Sequence, residues 1–125
     1  MSGRINLSGN NQDEAAYLVR AQETMADIEA QLEAAFDAHD IDYDMVRSGG
    51  VLTISLPKNL KMVLNLQSPM QQIWLATKNG GFHYAWTNNV WSDTRDESMQ
   101  GTLNTRLESE LLALCGLKIR LKHTT

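Results

Sequence analysis

Cysteine occurs once in this 125-residue chain, at position 115, which excludes an intrachain disulfide. It also excludes a cysteine-based metal cluster held by this chain alone, and it fits a reducing compartment. The three histidines, His39, His83 and His123, have no metal-ligand spacing. The sequence has no glycine-rich phosphate loop, no serine or cysteine nucleophile motif and no internal repeat. No apolar run approaches the roughly 20 residues that a bilayer span requires, so no membrane crossing is expected. Residues Met1 to Gln12 lack the apolar stretch of a secretory signal and the Arg-rich amphipathic pattern of a transit peptide. What remains is an ordinary globular composition, 42% apolar and 21% charged, at a length suited to one hydrophobic core.

Charge is unevenly distributed. Residues 1–44 carry ten acids against two bases, Arg4 and Arg20, for a local charge of −8. Residues 45–125 carry five acids and nine bases, for +4. The acidic part is unsuited to nucleic acid and suited to cations or to a basic protein surface.

Hydrophobic spacing predicts a first helix from Gln12 to Ala38. Leu18, Ala21, Met25, Ile28, Leu32 and Phe36 recur three and four residues apart and form its buried stripe. Asn11 and Glu14 have the spacing of a capping box. Glu23 and Asp27 form one row of acids on the remaining surface, and Glu29, Glu33 and Asp37 form a second. Like charges at this spacing destabilise a helix by about 0.2–0.5 kcal/mol per pair. The rows are either a solvated outer face or a cation-attracting surface. Asp40, Asp42 and Asp44 then alternate with Ile41, Tyr43 and Met45, which predicts an edge strand with a carboxylate at every second position. Aspartate is a poor strand former, so such an edge gives up stability to keep its charge. The acids of helix and strand are expected to form one contiguous ridge.

Short strands follow at Val51–Leu56, Leu60–Gln67, Gln72–Thr77, Phe82–Thr87 and around Trp91, separated by turn residues, which predicts an antiparallel meander. Parity assigns their faces. Ile73 and Leu75 point to the core, so Gln72 and Trp74 point outward beside Asn65 and Gln67. His83 also points outward, because Phe82, Tyr84 and Trp86 take the inner positions. A large aromatic among amides is a candidate protein-contact anchor unless a loop covers it. A second helix is expected from Ser98 to Leu114, buried through Met99, Leu103, Leu107, Leu111 and Leu114, with Gly116 as its stop. Leu117, Ile119 and Leu121 then alternate with Lys118, Arg120 and Lys122. The fold class is α+β: a two-layer α/β sandwich with two helices on one face of an antiparallel sheet of about six strands.

Several segments, in order and at fitting spacing, resemble the frataxin family, bacterial CyaY included. They are Asp42-Tyr43-Asp44, Gly50-Val51-Leu52-Thr53-Ile54, Asn65-Leu66-Gln67-Ser68-Pro69, Gln72-Ile73-Trp74-Leu75-Ala76, Gly80-Gly81-Phe82-His83-Tyr84 and Trp91. The resemblance implies a frataxin-like domain over residues 12–116, preceded by a flexible polar segment, 1–11, and followed by a tail, 117–125, packed on the domain. It implies weak binding of Fe²⁺ and Fe³⁺ on a ridge of Glu23, Asp27, Glu33, Asp37, Asp40, Asp42 and Asp44, with ferroxidase activity. It also implies docking to a cysteine desulfurase and an iron–sulfur scaffold protein through Asn65, Gln67, Gln72, Trp74 and His83. The expected role is an iron-binding accessory protein and iron donor of iron–sulfur cluster assembly, monomeric or forming iron-dependent oligomers. The rival is a metal-dependent enzyme using the strand aspartates, which would need a cleft converging on them. Gly101 stands where some members carry a histidine. The polar preface and long tail point to a processed mitochondrial matrix protein, and the Trp74–Gly81 stretch to the alternative, a bacterial cytoplasmic one.

Overall fold

The computed structural model describes residues 2–96 and 101–123, with side chains from residue 13 onward. Its order is α1 (Ser2–Ala38), β1 (Asp44–Ser48), β2 (Val51–Leu56), β3 (Leu60–Gln67), β4 (Gln72–Thr77), β5 (Gly80–Thr87), β6 (Val90–Asp93) and α2 (Leu103–Cys115). The six strands form one antiparallel sheet in sequence order, each paired with the next. Short 3₁₀ turns at Pro57–Asn59 and Ser68–Met70 join β2 to β3 and β3 to β4. Asn88 and Asn89 turn β5 into β6 with φ of 55° and 65°, the left-handed pair that matches the twist of a two-residue hairpin.

The core lies between the helices and one face of the sheet. Ala21, Met25, Ile28, Leu32 and Phe36 from α1 are buried with Tyr17, while Leu18 is half-buried. They meet Leu52, Ile54, Met62, Leu64, Ile73, Leu75 and Tyr84, and Leu103, Leu107, Leu111 and Leu114 of α2. Trp91 is buried with its indole N–H satisfied by Thr24 Oγ1 at 2.9 Å. Burial pushes the Tyr84 phenol up to about 12 although Arg106 opposes the shift. Among the described residues, no helix is long and apolar enough to cross a membrane.

β5 starts two residues early, at Gly80, and three further boundaries depart more widely from those expected. Helix α1 begins ten residues before Gln12, so Asn11 and Glu14 lie inside it rather than capping it. The stretch before Gln12 has no proline, and its glycines lower helix propensity without forbidding a helix. Helix α2 begins at Leu103, because Thr102 is its N-cap and accepts from the Thr105 backbone N–H through Oγ1 at 3.2 Å. Ser98 and Met99, expected in that helix, lie outside the described residues.

The third difference is at the aspartates. The strand begins at Asp44, not Asp40. Asp40 has φ of 54°, Ile41 N–H donates to Phe36 O at 2.9 Å, and Asp40 N–H faces Asp37 O at 3.5 Å. These bonds make a Schellman motif in which Asp40 takes the left-handed position that terminates α1. Ile41 completes the motif by packing against the core. Alternation of aspartate and apolar residues thus spans a helix cap, a short link and only the first two residues of a strand.

After α2, Gly116 stops the helix at φ of 70° and the tail runs extended between the two helices. Leu117 and Leu121 are buried. Gln31 of α1 bonds Lys122 through both amide atoms, donating to its carbonyl and accepting from its N–H, each at 2.8 Å. Glu108 of α2 accepts from Leu121 N–H at 2.7 Å.

Candidate functional site

The expected ridge carboxylates divide into two groups rather than one contiguous row. A helix turns about 100° per residue, so the Glu29–Glu33–Asp37 row and the Glu23–Asp27 row leave α1 on different flanks. The first flank faces β1. Arg47 Nε lies 3.0 Å from Glu29 Oε1, and the Tyr43 hydroxyl donates to Asp37 Oδ1 at 3.2 Å. Met45 and Arg47 leave the strand on the same side, as strand parity requires. The edge therefore holds both ends of this acid row, with Glu33 exposed between them. Partial burial raises the Tyr43 pKa above its ordinary value, and the Asp37 and Glu33 charges add to the shift.

The second flank faces the tail and the β5–β6 turn. Asp27 accepts from Gln31 Nε2 at 2.7 Å, and the same Gln31 holds Lys122. Glu23 lines a cleft of about 750 Å³ with Val19, Arg20, Trp86 and Asn89. Arg20 covers the Trp86 ring there at 4.7 Å. Glu23 and Asp27, which the resemblance implies as ridge residues, thus lie beside the tail and the β5–β6 turn.

Asp40, Asp42 and Asp44 are exposed and lead from the end of α1 into β1. Among the described residues, no three His, Cys, Asp or Glu side chains converge closely enough to hold a metal ion. Separated, exposed carboxylates can attract a hydrated cation through summed charge, but they cannot enclose one. Asp37 and Asp40 sit at the C-terminus of α1, where no basic residue stands in the last turn. A negative charge there opposes the helix dipole, typically by about 0.3–1 kcal/mol.

The second candidate region is the sheet face turned away from the helices. The register puts Val51 opposite Asn65, Asn65 opposite Trp74 and Trp74 opposite His83. Gln67 stands opposite Gln72 in the next row. The five residues expected to share this face are therefore brought together. Trp74 stacks on His83 with centroids 4.1 Å apart and planes 11° from parallel. Its Nε1–H donates to Gln72 Oε1 at 2.7 Å. Trp74 is half-buried by these neighbours and His83 is exposed, and among the described residues no helix covers the pair. Val51 completes the row and was missed by the sequence reading, because a valine in a strand gives no polar signal.

Gly101 has a steric reason. A Cβ there would collide with the backbone carbonyl of Asp96, so no side chain fits.

A family model described as "Frataxin-like domain" matches residues 10–116. The iron-sulfur cluster assembly protein CyaY of Burkholderia mallei is 44% identical over 79 residues, covering 63% of this chain and 72% of its own. Among solved structures, frataxin from Psychromonas ingrahamii superposes with a TM-score of 0.74 at 27% identity, covering 87% of this chain and 97% of that one. A trimeric frataxin from Saccharomyces cerevisiae complexed with ferrous iron gives a TM-score of 0.66 at 29% identity, over 75% and 83% of the two chains.

Proposed function

Since this chain belongs to the frataxin family, we propose that it is an iron-binding accessory protein of iron–sulfur cluster assembly. In this reading it takes up Fe²⁺ and Fe³⁺ weakly, as cargo, on the carboxylates around the end of α1 and the start of β1. It modulates a cysteine desulfurase–scaffold complex through the outer sheet face and can hand iron to it. The curated relative is named for iron–sulfur cluster assembly, and the yeast relative was solved with ferrous iron.

The observation that carries the docking reading is the Trp74–His83 stack beside the amides of Asn65, Gln67 and Gln72 on the outer sheet face. Amides around one aromatic offer contact area and hydrogen bonds with little desolvation. Weak uptake of iron follows from carboxylates that are exposed and dispersed. Such groups can promote slow oxidation of Fe²⁺ without constituting a dedicated active site. We propose a monomer, with iron-dependent oligomers as an additional state. For location we favour the bacterial cytoplasm, since the curated relative is bacterial. The bacterial relatives do not support the mitochondrial matrix, first suggested by the polar preface and long tail.

Reconstitution tests this reading. Desulfurase, scaffold and iron are combined with the chain, and cluster formation and binding are followed. Trp74→Ala is expected to weaken binding to the complex by at least about 2 kcal/mol while leaving iron uptake by the isolated protein unchanged. Replacing Asp40, Asp42 and Asp44 together by asparagine is expected to weaken iron uptake and leave the fold intact. Wild-type affinity of folded Trp74→Ala would remove the sheet face as the docking surface. Unchanged iron uptake by the triple variant would remove the carboxylate edge.

A further inference from the structure

The indole of Trp74 is occupied before any partner arrives. Its only polar hydrogen is bonded to Gln72 Oε1 at 2.7 Å, and one ring face is stacked on His83. Gln72 lies two residues earlier on β4, so both side chains leave the strand on one face. The backbone under Gln72 is itself fixed from the opposite layer, because the buried Tyr17 of α1 donates its hydroxyl to Gln72 O at 2.6 Å. Indole is a donor only and has no acceptor to offer. With its N–H bonded to Gln72 and one face against His83, the ring presents carbon edge.

We propose that Gln72 is a positioning residue for docking. It fixes the Trp74 rotamer and takes up the indole N–H, so the ring meets its partner as an apolar edge rather than as a hydrogen-bond donor. The inference deepens the reading of the sheet face as a docking surface and rests on it. It specifies the partner's side of the contact as a shallow apolar recess with no acceptor aimed at the indole nitrogen. The gain for binding is that the loss of side-chain freedom at the anchor occurs in the free protein rather than on association.

Two substitutions separate positioning from direct contact. Gln72→Met keeps the length of the side chain and removes both amide atoms. Gln72→Glu keeps an acceptor oxygen and removes the Nε2–H donor. In the isolated protein, the Trp74 indole N–H resonance reads the bond directly, and the backbone amide spectrum reads the fold. Gln72→Met is expected to move that resonance towards the position of free indole and to speed its exchange with water. Gln72→Glu is expected to leave it bonded. Against the desulfurase–scaffold complex, Gln72→Met should weaken binding about three- to tenfold, and Gln72→Glu should recover to within about twofold of wild type. Binding is measured at low and high salt so that the added charge is accounted for.

An indole resonance unmoved in Gln72→Met would overturn the proposal. So would an equal loss of binding in both variants, which would make the Gln72 amide a partner contact in its own right. Wild-type binding by Trp74→Ala would instead overturn the sheet-face reading, and the positioning role with it, whatever the indole resonance shows.

Discussion

The outer sheet face and the carboxylate edge are built in opposite ways. On the sheet face, Asn65, Trp74 and His83 are set side by side by backbone pairing, so their spacing is fixed by three adjacent strands. The side chains are amides and rings, among which Trp74 bonds Gln72 and stacks on His83. At the edge, Glu33, Asp37, Asp40, Asp42 and Asp44 are strung along a helix end, a cap and a strand start, and all are exposed. Two anchors hold the acid row, Arg47 of β1 on Glu29 and Tyr43, just before β1, on Asp37, while the other carboxylates face water. A fixed array of amides and rings can discriminate shape, whereas a loose anionic one can attract a hydrated cation without enclosing it. The two regions should therefore respond to substitution in opposite senses, one through recognition and the other through charge.

The tail offers the largest perturbation that should leave the sheet face untouched. Deleting residues after Gly116 exposes the surface under Leu117 and Leu121 and removes the bonds that Gln31 and Glu108 make to the tail backbone. The expected loss is about 2–4 kcal/mol, read by urea or thermal denaturation. The Asp27 flank should loosen with it, since Gln31 bridges Asp27 and Lys122. The indole resonance of Trp74 should stay in place, because the tail lies across the helices on the other layer. An unchanged midpoint would show that the tail contributes no packing. A displaced indole resonance would show that the two faces are not independent.

The sheet face was legible in the sequence because a strand has a strict period of two. Once Ile73 and Leu75 are recognised as core, Trp74 has only one direction to take, and the structure buries both neighbours completely while leaving Trp74 on the other side. The stack on His83 was not legible, since it depends on the β4–β5 register and on rotamers that turn rings parallel. The carboxylate edge misled for a related reason. Asp40, Asp42 and Asp44 alternate with apolar residues as a strand would, but periodicity cannot register a single left-handed residue. The ion pair of Arg47 with Glu29 was invisible for lack of any local spacing between positions 18 residues apart. Long-range pairs of this kind decide what each acid row meets, and only the packed structure carries that information.

Asp40 gives the smallest expected effect and the sharpest contrast between the regions, because here charge and backbone strain coincide. Its φ of 54° is one that an L-residue adopts at some steric cost, and its carboxylate stands at a helix C-terminus without a basic residue in the last turn. Asp40→Gly removes both penalties and adds freedom to the unfolded chain, so a net gain of about 0.5–1 kcal/mol is expected. Asp40→Asn keeps a side chain tolerant of the left-handed region and removes only the charge, for a gain of a few tenths of a kcal/mol that fades at high salt. Denaturation of the two variants at low and high salt separates the strain from the electrostatics. Iron uptake should fall in both to a similar degree, since both lose the same carboxylate. If Asp40→Gly instead unfolds more easily than wild type, the carboxylate stabilises the cap, and its place at the helix end is explained by structure rather than by cations. If stability rises and iron uptake is unchanged, Asp40 is a tolerated misfit, and the cation-binding part of the edge begins at Asp42.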